Sequence, residues 1–380
     1  MRTLRDGAGA ELDRALTLWL PGPATSTGEE IAELHLHGGR AVIAGVLSAL
    51  RAIDGLHDAE PGEFTRQALT NQRIDLAQAE GLAELLRADS EWHRKRAAAI
   101  AGGATSRRLD DWRSRLIRLG AAVEAEIDFS DEDDVASDPA RLARVAGEVD
   151  DLKREIAQWL ALPPIDQWRE GLRVVIAGPP NAGKSTLLNA IAGRDAAIVS
   201  PEAGTTRDVV EVPLLIGDTA VRLADTAGLR EGEGVGAVES AGVKRAIAQI
   251  GAADLLLWLG PPAECPPHAN CLRVSSKADI DGVHPLTDLA VSARTGEGMA
   301  ELLAAVSGRL AGLQPAQLSL PTRRQQQIGA EVVASLDGSL DPLLLAEQLR
   351  LALFAMDRLD GRVASDEMLG ALFGNFCIGK

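Results

Sequence analysis

Apolar positions along this chain change their spacing several times, and each change marks a change of architecture. Up to about residue 72 they come in short runs broken by turn residues. Leu16-Thr17-Leu18-Trp19-Leu20 ahead of Pro21 predicts a strand ended by proline, and Ile31-Ala32-Glu33-Leu34-His35-Leu36-His37 alternates as a second strand does. Residues 41–53 predict a helix. From about 75 to 162 the apolar residues fall at three- and four-residue intervals in an Ala-rich background, which predicts long helices. The run Asp128-Phe129-Ser130-Asp131-Glu132-Asp133-Asp134 reads as an acidic loop interrupting them, and Pro163-Pro164 closes the region. Between 171 and about 310 short apolar runs alternate with helical stretches, the pattern of an α/β unit. After Pro315 the helical spacing returns, through Leu343-Leu344-Leu345-Ala346-Glu347-Gln348-Leu349-Arg350 to the end. The expected organisation is an N-terminal α/β domain (1–72), a helical domain in two pieces (73–165 and 315–380), and an α/β unit (171–310) inserted between them.

The inserted unit carries the candidate chemistry. The run Val174-Val175-Ile176-Ala177 leads into Gly178-Pro179-Pro180-Asn181-Ala182-Gly183-Lys184-Ser185 and then into Thr186-Leu187-Leu188-Asn189-Ala190-Ile191. A G-x-x-x-x-G-K-S loop between a strand and a helix is the setting in which this motif cradles phosphate. Its glycines let backbone N–H groups close on phosphate oxygens, Lys184 reaches the β- and γ-phosphates, and the Ser185 hydroxyl holds Mg²⁺. The helix presents its positive dipole end to the anion. Downstream, Gly204-Thr205-Thr206-Arg207-Asp208 supplies a switch-loop threonine, with Thr206 as the candidate second Mg²⁺ ligand. Leu223-Ala224-Asp225-Thr226-Ala227-Gly228 ends a strand with a carboxylate beside the metal, and Gly228 can offer its N–H to the γ-phosphate. In Ser276-Lys277-Ala278-Asp279 the carboxylate can accept from both N1–H and the 2-amino group of guanine, a pair that adenine lacks. Val291-Ser292-Ala293-Arg294 completes the base pocket. Each short match is weak alone; all of them in this order imply a Ras-like P-loop GTPase. Its nucleotide site would take Asn181 to Thr186, Thr205, Thr206, Asp225 to Gly228, Ser276, Lys277, Asp279, Ser292, Ala293 and Arg294.

Two positions depart from the usual pattern. Serine at 276 replaces an asparagine and, being shorter, is expected not to tie its loop to the phosphate loop, with some loss of affinity. Leu229 stands where a Ras-like GTPase has the glutamine that orients the attacking water. The acidic residues Glu231, Glu233 and Glu239 follow, and any one of them chosen blind reads better as a solvated charge.

Composition narrows the classes. A net charge of −16 over 380 residues excludes a broad nucleic-acid-binding surface on this chain alone, so any RNA contact would be local or shared with a basic partner. Three cysteines (Cys265, Cys271, Cys377) form no disulfide framework, which fits a reducing cytoplasm. The residues Met1-Arg2-Thr3-Leu4-Arg5-Asp6 lack a signal-peptide core, and no apolar stretch reaches membrane-spanning length.

The chain ends in Phe376-Cys377-Ile378-Gly379-Lys380. With the GTPase motifs and Asp75-Leu76-Ala77-Gln78-Ala79-Glu80, this ending resembles the MnmE (TrmE) family of tRNA-modifying GTPases along nearly the whole chain. The resemblance implies a folate-binding domain that also dimerises, a helical domain and an inserted G domain. It implies joint action with an FAD-dependent partner, MnmG (GidA). Together they add an aminomethyl-type group at carbon five of a tRNA wobble uridine, with a tetrahydrofolate one-carbon donor. It also implies pairing of G domains across a homodimer, with K⁺ in place of an arginine finger. The K⁺ ligands would be Asn181, Ser200, Glu202 through its carbonyl, and Thr205, and Ser200 joins the nucleotide loop. Of the three acids, the family's water-positioning glutamate maps onto Glu239. Folate contacts map onto Glu33, Arg73 and Lys380. Cys377 is the family's C-terminal cysteine, placed near the transferred carbon, as a nucleophile or as part of the site's wall. The family begins with a further strand, a glycine-rich turn and an arginine, which are expected to be missing ahead of Leu16-Thr17-Leu18-Trp19 and whose loss would weaken folate binding and the dimer. The competing readings are an Era- or Der-type ribosome-assembly GTPase, disfavoured by a tail that is not basic, and a GTP-binding scaffold without modification activity.

Overall fold

The computed structural model describes residues 1–130, 139–169, 171–193, 211–226, 246–363, 366–374 and 376. The chain divides into two compact units, Met1–Ala83 with Ala99–Ala157 and Ile328–Lys380, and Glu84–Ala98 with Gln158–Gln327.

The first unit opens on a three-stranded antiparallel sheet, β1 (Arg2–Arg5), β2 (Glu11–Leu20) and β3 (Ile31–His35), in that order. Asp6 makes the β1–β2 turn: its carboxylate accepts from the N–H groups of Ala8 and Ala10. Sequence periodicity misses β1 and the first half of β2. Their residues Arg2, Arg5, Glu11, Asp13 and Arg14 are charged, as suits a short edge ribbon facing water, and leave too few apolar positions to count. In β2–β3 the pairing sets Leu18 opposite Glu33 and Leu16 opposite His35. Helix α1 (Arg40–Arg51) falls on the predicted segment, and α2 (Glu63–Thr70) follows.

Helix α3 (Leu76–Leu86) starts on a reciprocal cap. The Asp75 carboxylate accepts from the Gln78 N–H at 2.8 Å, and the Gln78 side chain accepts from the Asp75 N–H at 3.1 Å. Helix α4 (Glu91–Ala101) precedes the long helix α5 (Ala104–Ser130). Within the first unit α5 runs against the helix Pro342–Asp360, burying Leu109, Trp112 and Leu116. Arg113 and Asp357 pair across this seam at 2.7 Å. The Pro342–Asp360 helix has Asp341 as a side-chain N-cap, proline at its first position and Gly361 after its last. Helix α5 extends through Asp128-Phe129-Ser130, so the expected acidic loop begins later than its composition suggests; the remainder of that run lies outside the described residues. Helix α6 (Pro139–Leu160) follows. Phe373 and Phe376 pack with Ala79 and Ala83, which brings the last described residues of the chain onto α3.

The second unit holds α7 (Ile165–Arg169) and a six-stranded sheet in the order β5-β6-β4-β7-β8-β9. These strands are β4 (Leu172–Ala177), β5 (Glu211–Ile216), β6 (Thr219–Asp225), β7 (Leu255–Trp258), β8 (Cys271–Ser275) and β9 (Leu289–Ala290). All neighbours run parallel except the β5–β6 pair. Val174, Val175, Ile176, Leu255, Leu256 and Leu257 are fully buried, as strands covered on both faces require, and so read as unbroken apolar runs. Helices α8 (Lys184–Ala192) and Met299–Leu313 pack on the sheet, the latter beside β5 and β6. The carboxyl ends of β4, β6 and β8 lie at one edge, where ligands of open parallel sheets bind.

Gly298 caps the Met299–Leu313 helix in a left-handed conformation, φ 71°. A side chain there would start 2.0 Å from the Ala290 carbonyl oxygen. Gly298→Ala is therefore expected to destabilise the fold by about 2 kcal/mol or more, read by chemical denaturation. A change under about 0.5 kcal/mol, the size of an ordinary surface substitution, would contradict this packing.

Candidate functional site

The loop after β4 has the backbone that phosphate binding needs. Asn181 and Gly183 both sit at positive φ, 63° and 86°, which turns successive N–H groups inward ahead of α8. Asparagine tolerates this conformation better than most residues and glycine adopts it freely. Lys184 is buried, and its Nζ donates to the carbonyls of Gly178 at 3.2 Å and Pro179 at 2.9 Å. The ammonium is thus held across the mouth of its own loop, where phosphate oxygens can replace the carbonyls.

Ser185, one residue on, donates its hydroxyl to Asp225 at 2.6 Å. Asp225 is the last residue of β6, brought there by a parallel pairing that sets it opposite Ile176 of β4. Thr226 continues that ladder, donating both its N–H and its hydroxyl to the Ile176 carbonyl at 3.2 Å. A hydroxyl and a carboxylate, both hard oxygen donors, stand together at the phosphate loop, and this set fits Mg²⁺. Among the described residues no group of three or more His, Cys, Asp or Glu could hold a metal.

The loops after β8 and β9 converge on the same edge. Gly183, Thr186 and Leu187 line a cavity of about 180 Å³ with Ser276, Lys277, Asp279, Ile280, Val291, Ser292, Ala293 and Arg294. Ser276 donates its hydroxyl to the Ala182 carbonyl at 2.6 Å, and Lys277 donates to the Asn181 carbonyl at 2.8 Å. This corrects the expectation from side-chain length: serine does tie the two loops, because their backbones approach closely enough for the shorter side chain to reach. The Asp279 carboxylate has no hydrogen bond or ion pair among the described residues and lines the cavity, free to accept from a base edge. Ser292 is fully buried and its hydroxyl accepts from the Thr295 N–H, which fixes the turn that carries Ala293 and Arg294. The apolar lining from Leu187 and Ile280 was not assigned to the pocket in the sequence; flanking residues of polar motifs give no signal of their own.

The chain matches the family model described as the MnmE helical domain over residues 76–377, and that of the GTP-binding protein TrmE N-terminus over residues 1–73. It belongs to the MnmE family.

A relative from Rhizorhabdus wittichii named tRNA modification GTPase MnmE is 52% identical, over 98% of this chain and 84% of its own. One of the same name from Sphingopyxis alaskensis is 49% identical, over 99% of this chain and 93% of its own. Among solved structures, an Era variant from Aquifex aeolicus bound to GDP and tetrafluoroaluminate is 25% identical over 43% of this chain, with a TM-score of 0.29, too low to bear on the fold. As a member of the MnmE family with a phosphate loop, the protein is a GTP hydrolase.

Other residues to which the MnmE resemblance points fall elsewhere. Glu33 is exposed on β3, its carboxylate 3.2 Å from the His35 ring. Arg73 is exposed between α2 and α3 and donates to the Thr25 carbonyl at 3.2 Å. Neither lines the groove of about 680 Å³ that Trp19, Ala32, Leu34, Leu47 and Phe64 line in the same unit. Ser200, Glu202, Thr205, Thr206, Ala227, Gly228, Glu239, Cys377 and Lys380 lie outside the described residues. Among the described residues no helix is long and apolar enough to cross a membrane.

Ser276→Ala removes the tie to Ala182. It is expected to weaken GDP binding by about 1 kcal/mol, roughly fivefold, in a fluorescent-nucleotide titration. Unchanged affinity would mean that the two loops are held together by other contacts.

Proposed function

We propose that this chain is a K⁺-dependent GTPase that drives a conformational cycle in a tRNA-modification complex. The observation that carries the reading is the joint presence of the Lys184 loop, the Ser185–Asp225 pair and the Asp279 pocket in a member of the MnmE family. In this reading Lys184 and the loop amides from Asn181 to Thr186 bind the β- and γ-phosphates. Ser185 and Thr206 would hold Mg²⁺, with the Asp225 carboxylate beside it adding negative charge. Ser276, Lys277 and Asp279 read guanine, and Ser292, Ala293 and Arg294 close over the base. Ser200, Thr205, Thr226, Ala227 and Gly228 complete the nucleotide loops.

Asn181, Ser200, Glu202 and Thr205 would hold K⁺, which supplies positive charge where an arginine finger otherwise would. Glu239 positions the attacking water in place of the glutamine absent at Leu229. Pairing of two G domains in a homodimer assembles this set, and hydrolysis releases it.

The remaining residues serve the modification step. Residues 1–72 would form the folate-binding and dimerisation domain, 73–165 with 315–380 the helical domain, and 171–310 the G domain. Glu33 would pair with the pterin edge, and Arg73 and Lys380 with the carboxylates of a tetrahydrofolate derivative. Cys377 would stand near its one-carbon unit. The partner would be an FAD-dependent protein of the MnmG type, sharing the tRNA in the cytoplasm, and the product an aminomethyl-type group at carbon five of the wobble uridine. A shared tRNA suits a chain with a net charge of −16, which by itself offers phosphate little attraction.

GTP turnover measured with K⁺ or Na⁺ as the sole monovalent cation, at matched ionic strength, tests the reading. Turnover at least tenfold faster in K⁺ is expected, and equal slow rates would leave a GTP-binding scaffold as the better account. Glu239→Gln is expected to lower kcat by about a hundredfold while GDP affinity stays unchanged, as general-base removal does. An unaltered kcat would assign the water to another residue.

A further inference from the structure

Two thiols in the second unit play no part in the chemistry above. Cys265 follows the short turn Pro262–Glu264, and Cys271 opens β8. Their sulfur atoms lie 3.2 Å apart, and both residues are partly exposed. The backbone on either side is held without help from sulfur. Trp258 Nε1 donates to the Pro261 carbonyl at 3.0 Å. The His268 ring reaches the Ala253 carbonyl through Nε2 at 3.0 Å and accepts from the Asn270 N–H through Nδ1 at 3.1 Å. Asn270 also donates to the Asp254 carbonyl at 3.3 Å, and Cys271 pairs with Leu256 in the β7–β8 ladder. The two sulfurs are thus presented to each other by a fixed frame. A disulfide needs them about 1 Å closer, a shift that side-chain rotation supplies.

We propose that Cys265 and Cys271 form a reversible dithiol–disulfide pair, oxidised by a small-molecule disulfide of the glutathione type. The Cys265 thiolate attacks one sulfur of glutathione disulfide, forming a mixed disulfide and expelling one glutathione thiolate. The Cys271 thiolate then attacks Cys265 Sγ, closing the internal bond and expelling the second glutathione. Two protons leave the protein, and its two electrons reduce glutathione disulfide to two thiols. Burial and the adjacent Cys265 sulfur push the Cys271 thiol up to about 12. With Cys271 as the resolving thiol, the closing step speeds up as pH rises. The segment that carries both thiols begins beside the phosphate loop: an added side-chain carbon on Gly260 would lie 2.8 Å from the Pro179 ring. It ends in the strand that leads directly to Ser276. Oxidation therefore cross-links the segment between two parts of the nucleotide site.

The full chain, equilibrated with mixtures of reduced and oxidised glutathione, alkylated and digested, gives the test by mass spectrometry. The expected result is one species in which Cys265 and Cys271 together have lost two hydrogens, restored by dithiothreitol. It should also form in Cys377→Ser. Cys265→Ser is expected to leave Cys271 alkylated or bearing glutathione, with no internal bond. Free thiols at 265 and 271 in excess oxidised glutathione, or a separate glutathione adduct on each, would overturn the proposal. So would loss of the bond in a Cys377→Ser variant of unchanged circular dichroism, since Cys377 would then be the true partner.

Discussion

The parallel register between β4 and β6 is the constraint on which the nucleotide site depends. With Ile176 opposite Asp225, the phosphate loop leaves β4 at the level where β6 delivers its carboxylate, and Ser185 meets Asp225 at 2.6 Å. A slip of one residue would turn Asp225 to the other face of the sheet and leave its charge among Val175, Ala177 and Leu256. The cost of that misplaced charge opposes the slip, so burial on both faces of the sheet holds the polar pair in position.

The same edge then collects everything else from short loops. Ser276 and Lys277 donate to successive carbonyls of the phosphate loop, at Ala182 and Asn181. The base cavity and the phosphate cradle are therefore one mechanical piece, although β8 and β4 are separated by β7. Gly298 lets the turn carrying Ala293 and Arg294 pass against Ala290, where any side chain would collide. Close backbone approach is the common device, and it explains why small residues recur around a site that must admit a bulky anion.

How much of this could be read from sequence depended on how local the determinant was. That the phosphate loop, Asp225 and the 276–279 and 291–294 segments come together was legible because each is a short motif found at the strand ends of one sheet. The α1 helix and the buried central strands were legible from apolar spacing. The β1–β2 ribbon was not, since its charged residues carry no alternating apolar face. The end of α5 was misplaced because acidic composition suggests a loop, while Asp128 is exposed and harmless on a helix surface. The Ser276 tie could not be foreseen, because side-chain length says nothing about how near two backbones will come.

The central claim is that the Lys184 loop and the Ser185–Asp225 pair receive the phosphates and metal of a nucleotide whose base enters the Asp279 cavity. A crystal structure of the full chain with Mg²⁺ and a non-hydrolysable GTP analogue tests it most directly. The account expects Lys184 Nζ to have left the Gly178 and Pro179 carbonyls for phosphate oxygens, the Ser185 hydroxyl to ligate Mg²⁺, and Asp279 to accept from the guanine edge. Phosphates bound elsewhere, or a metal that bypasses Ser185, would contradict it.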